Sequence, residues 1–151
     1  MKKRFLLVFT LYFYLVFSMP AQSNAVLDSL LEEEKATWGK CSYLVLSAAG
    51  IIPEDASEED AMRTIMERGW QRREKATDEP IKLGRYSFLI MQAFDLKGGI
   101  MYTIFRSPRY ASRELGFKGF IRGDSGAYRT LTGEEAVRIL GRVLEWKGAS
   151  R

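Results

Sequence analysis

The sequence predicts an all-α fold of stacked helix-loop-helix units that follows a cleaved signal peptide. Three observations predict it: a pattern that recurs every 45 to 50 residues, capping sequences in front of apolar runs, and an apolar N-terminal stretch behind a basic start. Repeats of this length are typical of supersecondary units that bury their apolar faces against neighbouring units.

The first 25 residues have the pattern of a signal peptide. Lys2, Lys3 and Arg4 precede an uncharged apolar run over residues 5–17, and Ser23 and Ala25 occupy the small-residue positions of a cleavage site. Because thirteen apolar residues fall short of the roughly 20 that span a bilayer, we favour cleavage over an uncleaved anchor. Cleavage would leave one domain, 26–151, and we expect it in the periplasm or associated with the cell envelope.

Charge and cysteine content limit the possible partners. Without the signal peptide the chain has 20 cations against 19 anions, and the two signs are interleaved. A nucleic-acid-binding protein normally has a clustered cationic excess, so we expect no nucleic-acid partner. The single cysteine, Cys41, has no internal disulfide partner; we expect a small buried apolar residue, with an intermolecular disulfide as the alternative.

The first half of the domain contains three predicted helices. Residues 26–37 predict a short amphipathic helix that caps one end of the stack. Residues 39–49 predict the first main helix, which Gly50 ends. Ser57 and Asp60 then form an S-x-x-D capping box before a helix that stops near residue 69.

The second half repeats this order. A charged linker, residues 71–80, leads to a second main helix over about residues 83–94. The apolar run Ile100 to Phe105 predicts a short strand, a helical turn or a hydrophobic loop, and a further helix covers residues 110–118. Thr132 and Glu135 form the capping box of the last helix.

The order of these features resembles that of S-layer homology (SLH) repeat proteins. Tyr110-Ala111 matches the Trp-Ala opening of that family's second helix, and Gly119-Phe120-Ile121 matches its end. Asp124 to Arg129 matches the following turn, and Leu131 to Glu135 matches the apolar-Thr-Arg-x-Glu motif. The resemblance covers residues 38–146, with repeat blocks at about 38–70, 83–120 and 131–146, and it implies the stacked helical fold.

The resemblance also implies a glycan site. In the SLH family the arginine of the motif helps to bind an acidic cell-wall polysaccharide or modified peptidoglycan. In the three copies the cation position holds Lys40, Arg85 and Gly133, the Thr position Gly39, Gly84 and Thr132, and the Glu position Ser42, Ser87 and Glu135. No copy is complete. The resemblance therefore implies glycan binding at Lys40, Arg85, Thr132 and Glu135, and the alternative is that these are solvated charges of the first helical turns.

The apolar run Ile100 to Phe105 also suggests a contact with a protein partner. Ile100, Tyr102, Ile104 and Phe105 lie outside the repeat, beside two glycines. If these side chains are exposed they predict a site for an envelope protein, and if they are buried they predict a loop folded over the core.

Catalysis is not expected. The chain has no histidine, which removes Ser-His and Cys-His nucleophile pairs, and it has no phosphate-binding loop, dinucleotide motif or metal-ligand cluster. We expect no catalytic residue, metal or cofactor. The carboxylate runs at residues 32–34 and 58–60 leave a cell-wall-acting enzyme as the alternative. The favoured interpretation is a non-catalytic exported binding module that contacts a protein partner or a cell-wall glycan.

Overall fold

The protein is helical, as the sequence predicts. The structure, a computed structural model, describes the backbone of residues 21–149 and the side chains of residues 24–149. The predicted signal peptide lies mostly outside the described residues. The described chain forms seven helices: α1 (Ala21–Leu31), α2 (Trp38–Ala48), α3 (Glu58–Glu67), α4 (Leu83–Ala93), α5 (Ile100–Phe105), α6 (Pro108–Phe117) and α7 (Gly133–Ala149).

The helices pack in pairs. Helix α2 packs on α3 and on α4, α4 packs on α6, and α1 packs on both α2 and α7. One core cluster runs through these contacts, and its largest fully buried side chains include Tyr43, Tyr86, Ile90 and Leu115. No helix in the part of the chain that the structure describes has the length and apolar character needed to cross a bilayer.

The residues just before α2, α4 and α7 meet at the centre of the domain. The Ile81 amide donates to the Ala36 carbonyl at 2.9 Å, and the Ala36 amide donates to the Leu131 carbonyl at 2.9 Å. All three side chains are almost completely buried. These bonds satisfy backbone groups that burial would otherwise leave unpaired. They also hold the starts of three helices together, although those helices lie far apart in sequence.

Helix α1 differs from its prediction. It spans Ala21–Leu31 rather than residues 26–37, and the predicted cleavage point after Ala25 falls inside it. It does not cap one end of a stack, because it contacts the last helix as well as the next one. The Gly133 amide donates to the Glu33 carbonyl at 2.9 Å, so the segment after α1 is bonded to the start of α7.

The two capping predictions have different outcomes. Ser57 and Asp60 form the complete capping box, with each side chain accepting from the backbone amide of the other residue. Thr132 Oγ1 accepts from the Glu135 amide at 3.1 Å. The Glu135 carboxylate, however, binds the Arg129 guanidinium, so only half of the second box is present.

The apolar run at residues 100–105 is the helix α5, which selects one of the three predicted alternatives. The loop between α2 and α3 covers residues 49–57, and the connection between α4 and α6 covers residues 94–107. The second connection is five residues longer, which accounts for the change of spacing from 45 to 50. Helix α5 is therefore built within the longer connection.

Candidate binding groove

A cavity lies where the linker between α3 and α4 passes the start of α2 and the start of α6. Its volume is about 780 Å³. The linker residues 68–82 cross in front of α2 because the Trp38 amide donates to the Glu79 carbonyl at 2.9 Å and the Gly39 amide donates to the Thr77 carbonyl at 2.8 Å. We call this cavity the basic groove. Its walls also include Arg85 and Phe88 of α4 and Arg106 to Pro108, which precede or begin α6.

Glycine allows the linker to approach the helix so closely. A β-carbon at position 39 would collide with the Glu58 carboxylate and would lie 2.9 Å from Thr77 Cβ. The corresponding amide at position 84 donates to the Ala127 carbonyl at 2.9 Å, and a β-carbon there would lie 2.7 Å from Ala127 Cβ. The repeated glycine seen in the sequence is therefore required by the close approach of a linker to each helix start.

Positive charge dominates the basic groove. Six cationic side chains line it, against the single carboxylate of Glu79: Arg72, Arg73, Lys75, Lys82, Arg85 and Arg106. Lys75 Nζ lies 2.5 Å from Glu79 Oε1, which neutralises that carboxylate. Within residues 24–149 none of the other five cations forms an ion pair. The groove thus presents an excess of free positive charge.

Aromatic rings and one strained residue complete the walls. Trp38, Trp70 and Phe88 line the groove; Trp70 and Phe88 are partly exposed, whereas Trp38 is buried. Arg106 has a φ of 36°, a left-handed conformation that residues with a β-carbon rarely adopt. This turn ends α5 and brings Arg106 to the groove wall. Backbone strain of this kind is concentrated at functional sites.

The four predicted glycan residues are not brought together. Arg85 lines the basic groove, but Lys40, Thr132 and Glu135 do not. Lys40 is paired with Glu33, Thr132 caps α7, and Glu135 is paired with Arg129. These three side chains therefore have structural partners of their own.

The helix starts also give a different register for the third copy. Lys40, Arg85 and Glu135 are each the third residue of their helix, in α2, α4 and α7 respectively. Gly133, which the sequence comparison aligned with Lys40 and Arg85, is the first residue of α7. The difference arises because the sequence pattern places Thr132, which precedes α7, opposite Gly39 and Gly84, which are the second residues of α2 and α4.

At two of these corresponding positions, Lys40 and Glu135, the side chain forms an ion pair with the segment before its own helix, and the two pairs have opposite polarity. Lys40 meets Glu33 in the segment before α2, and Glu135 meets Arg129 in the segment before α7. The hydrogen bond to Glu135 is the main cause of the raised pKa of Arg129. Arg85 has no such partner, because Glu79 is bound to Lys75 instead. One of the three helix starts therefore leaves its cation free, and it is the one in the basic groove.

The predicted partner residues divide into exposed and buried. Ile100 is 77 % exposed, Ile104 65 % and Phe105 57 %, whereas Tyr102 is buried. The Tyr102 hydroxyl accepts from Gln92 Nε2 at 2.8 Å, and burial raises the pKa of Tyr102. Tyr102 therefore anchors α5 to the core and does not face a partner.

Glu33 and Glu58, which belong to the carboxylate runs at residues 32–34 and 58–60, both interact with Lys40. Burial raises the pKa of Glu58, and the charge of Lys40 opposes that rise while those of Glu59 and Glu33 add to it. These carboxylates do not line the basic groove. Among the described side chains, no cluster of three Cys, Asp or Glu residues could hold a metal ion.

Sequence reasoning missed most of the groove residues. The sequence predicts only a charged linker at residues 71–80, and Arg106 stands just beyond the apolar run Ile100 to Phe105. The succession Arg68, Arg72, Arg73 and Lys75 was a visible signal of local positive charge. It could not show that Arg85 and Arg106 face the same cavity, because that depends on tertiary packing.

No family model matches this chain, and no curated protein or solved structure matches it either. The resemblance to SLH proteins therefore rests on the residues named above.

Proposed function

We propose that this chain is a non-catalytic binding module of the cell envelope whose basic groove holds an anionic glycan. The observation that carries the proposal is the set of five unpaired cations beside three aromatic rings in one groove of about 780 Å³. Arg85, one of the two cations that the SLH resemblance singled out, belongs to this set, and Lys40, the other, does not.

The chemistry of the groove fits such a ligand. Guanidinium groups bind carboxylates and phosphates with two parallel hydrogen bonds, and four of the five unpaired cations are arginines. The partly exposed rings of Trp70 and Phe88 offer apolar faces to the carbon skeleton of a sugar.

Co-sedimentation with peptidoglycan sacculi tests the proposal. Protein expressed from the full-length sequence should sediment with sacculi that carry their anionic polymers and should remain in solution when those polymers have been removed. The double variant Arg85→Ala/Arg106→Ala should lose at least tenfold in affinity, because it removes two charge-assisted contacts. Added salt should weaken wild-type binding, since exposed charges are screened.

A matched control removes the same charge elsewhere. Arg63 and Arg138 are exposed cations paired with Asp60 and Glu134, and neither lines the groove. The variant Arg63→Ala/Arg138→Ala should sediment as wild type does. Equal loss in both double variants would mean that only net charge matters and would contradict a groove site. Release of soluble fragments from the sacculi by the wild-type protein would contradict the non-catalytic assignment and support the cell-wall-acting enzyme.

The exposed face of α5 favours a second contact, with an envelope protein. Ile100, Met101, Ile104 and Phe105 together form an exposed apolar patch. The cations Lys97, Arg106 and Arg109 flank it and are also exposed. By charge complementarity, the expected partner has an apolar pocket with an acidic rim.

Photo-crosslinking from position 101 in cells tests this second contact. A single protein adduct should form, and Ile104→Asp should abolish it while urea unfolding stays cooperative. Tyr102→Phe is the matched control, because it alters the buried side of α5 and leaves the exposed face intact. A lipid adduct, an adduct with a second copy of this chain, or loss of cooperative unfolding in Ile104→Asp would each refute the protein partner.

A further inference from the structure

Lys75 and Glu79 form an ion pair in the wall of the basic groove. Lys75 Nζ lies 2.5 Å from Glu79 Oε1, and both side chains are partly exposed. Glu79 stands six residues before Arg85, whose guanidinium forms no ion pair within residues 24–149. The carboxylate that lines the groove is therefore held by Lys75 and not by Arg85.

The second linker contains the equivalent of this backbone arrangement. The Trp38 amide donates to the Glu79 carbonyl at 2.9 Å, and the Leu83 amide donates to the Arg129 carbonyl at 2.9 Å. Trp38 and Leu83 are the first residues of α2 and α4. Glu79 in the first linker and Arg129 in the second thus hold the same backbone position.

At that position the second linker makes a contact that the first linker lacks. Arg129 Nη1 donates to Glu135 Oε2 at 2.8 Å, and Arg129 Nη2 donates to Glu135 Oε1. Glu135 is the third residue of α7, and Arg85 is the third residue of α4. The separation along the chain is six residues in both linkers, and exchanging Glu with Arg leaves the combined length of the two side chains unchanged. Glu79 therefore stands within reach of Arg85, and both line the same groove.

Lys75 is the relevant difference between the two linkers. Ser125, which carries no charge, stands four residues before Arg129, whereas Lys75 stands four residues before Glu79. A carboxylate whose charge is already neutralised by one cation attracts a second cation less strongly. The pair with Lys75 thus competes with a pair between Glu79 and Arg85.

We propose that Lys75 is a positioning residue, which holds Glu79 away from Arg85 and so keeps the Arg85 guanidinium available to the anionic ligand. This inference rests on the proposed function of the groove. Without Lys75, Glu79 would turn to Arg85 and occupy the N–H groups that otherwise bind a carboxylate or phosphate of the ligand. An internal ion pair would then block the site. Lys75 acts through Arg85 and makes no contact with the ligand itself.

A double-mutant cycle tests whether Lys75 acts through Arg85. Co-sedimentation would be titrated with sacculi that carry their anionic polymers, using protein expressed from the full-length sequence. Lys75→Met should lose about tenfold in affinity, and Lys75→Met/Glu79→Gln should regain the wild-type affinity because no carboxylate remains to cover Arg85. In the Arg85→Ala background, Lys75→Met should cause no further loss. A cation that bound the ligand directly would cause the same loss in both backgrounds.

Nuclear magnetic resonance of the protein without ligand supplies an independent readout. The guanidinium N–H protons of Arg85, assigned by their loss in Arg85→Ala, should exchange with water more slowly in Lys75→Met, because they are then donated to Glu79. The Arg129 guanidinium is the internal control, since it is paired with Glu135 in both proteins. Urea unfolding should stay cooperative, because a partly exposed ion pair contributes little to stability.

The outcomes separate this inference from the proposed function. Wild-type affinity in Lys75→Met, an equal loss in the Arg85→Ala background, or no recovery on adding Glu79→Gln would each overturn the role of Lys75. Unchanged hydrogen exchange at Arg85, or loss of cooperative unfolding in Lys75→Met, would overturn it as well. Groove binding would still stand in these cases if Arg85→Ala/Arg106→Ala weakens sedimentation. If wild-type protein does not sediment, or if that arginine variant binds normally, the proposed function fails and this inference fails with it.

Discussion

Lys40 Nζ lies 2.5 Å from Glu33 Oε1, and both side chains are only about one-fifth exposed. The pair joins the segment after α1 to the first turn of α2. A cation held in this way stabilises the fold and is not available to bind a ligand. This contact explains why Lys40 and Arg85, which look equivalent in the sequence, have different expected roles.

Lys40→Met is therefore expected to change stability and leave binding intact. Removal of the cation leaves Glu33 and Glu58 without their shared counter-charge, so we expect the free energy of unfolding to fall by about 1 kcal/mol, a value that allows for partial solvent screening. Urea unfolding measures this change, and co-sedimentation with sacculi measures binding. Loss of binding in a fully folded Lys40→Met protein would restore Lys40 to the glycan site.

Gly133 and Gly141 lie in the same helix and should respond oppositely to alanine. A β-carbon at position 133 would collide with the Leu30 carbonyl group, whereas position 141 has open space. We expect Gly133→Ala to lower the free energy of unfolding by about 2 to 3 kcal/mol, since α1 and α7 must separate. Gly141→Ala should raise it by about 0.5 to 1 kcal/mol, because alanine favours the helix. Differential scanning calorimetry would compare the two, and equal effects would contradict the closure of α7 on α1.

Glu58 should make stability depend on pH in the acidic range. Burial raises its pKa above the ordinary value of 4.5, so the folded protein holds this proton more tightly than the unfolded chain does. The stabilisation is fully present below the ordinary pKa and is lost as pH rises through the raised one.

Glu58→Gln should remove this component of the pH dependence, as followed by urea midpoints measured at a series of acidic pH values. Glu67→Gln is the control, because Glu67 is an exposed carboxylate at the other end of α3 and is not among the charges that shift the pKa of Glu58. A flattened profile in the control, or an unchanged one in Glu58→Gln, would refute the assignment.

Cys41 should be unreactive while the protein is folded. It is completely buried, and burial, with smaller contributions from Glu33 and Glu58, raises the pKa of its thiol. Because the thiolate is the reactive form, we expect disulfide reagents to modify Cys41 only as fast as the protein opens. The reaction should become immediate in denaturing urea. Fast labelling of the native protein, or a disulfide-linked dimer, would support the intermolecular disulfide instead.

The helices could be predicted because their signals are local. The capping box of Ser57 and Asp60 fixes the start of α3 through bonds within one turn. The buried residues Ala136, Ile139 and Val143 of α7 likewise follow one another at intervals of three and four residues. Such patterns depend on neighbours three or four residues away, and they can be read without knowing the fold.

The helix α1 and the short helix α5 show where local signals were insufficient. Six apolar residues do not separate a strand from a helix, and α5 is fixed by the contact of buried Tyr102 with Gln92, ten residues earlier. The pairing of α1 with α7 joins residues about one hundred positions apart, which no local pattern specifies.

The sequence by itself determined the all-α class, most helix positions and the choice of Arg85 as a candidate, because periodicity, capping and motif spacing are properties of short segments. Only the tertiary structure decided that Lys40 is paired with Glu33 and Glu135 with Arg129, whereas Arg85 is free. It also decided that Arg72, Arg106 and Gln71 line the same groove as Arg85. A side chain's availability depends on which charges and which cavity lie beside it in space. Those neighbours come from a linker and two helix starts that meet only when the chain is folded.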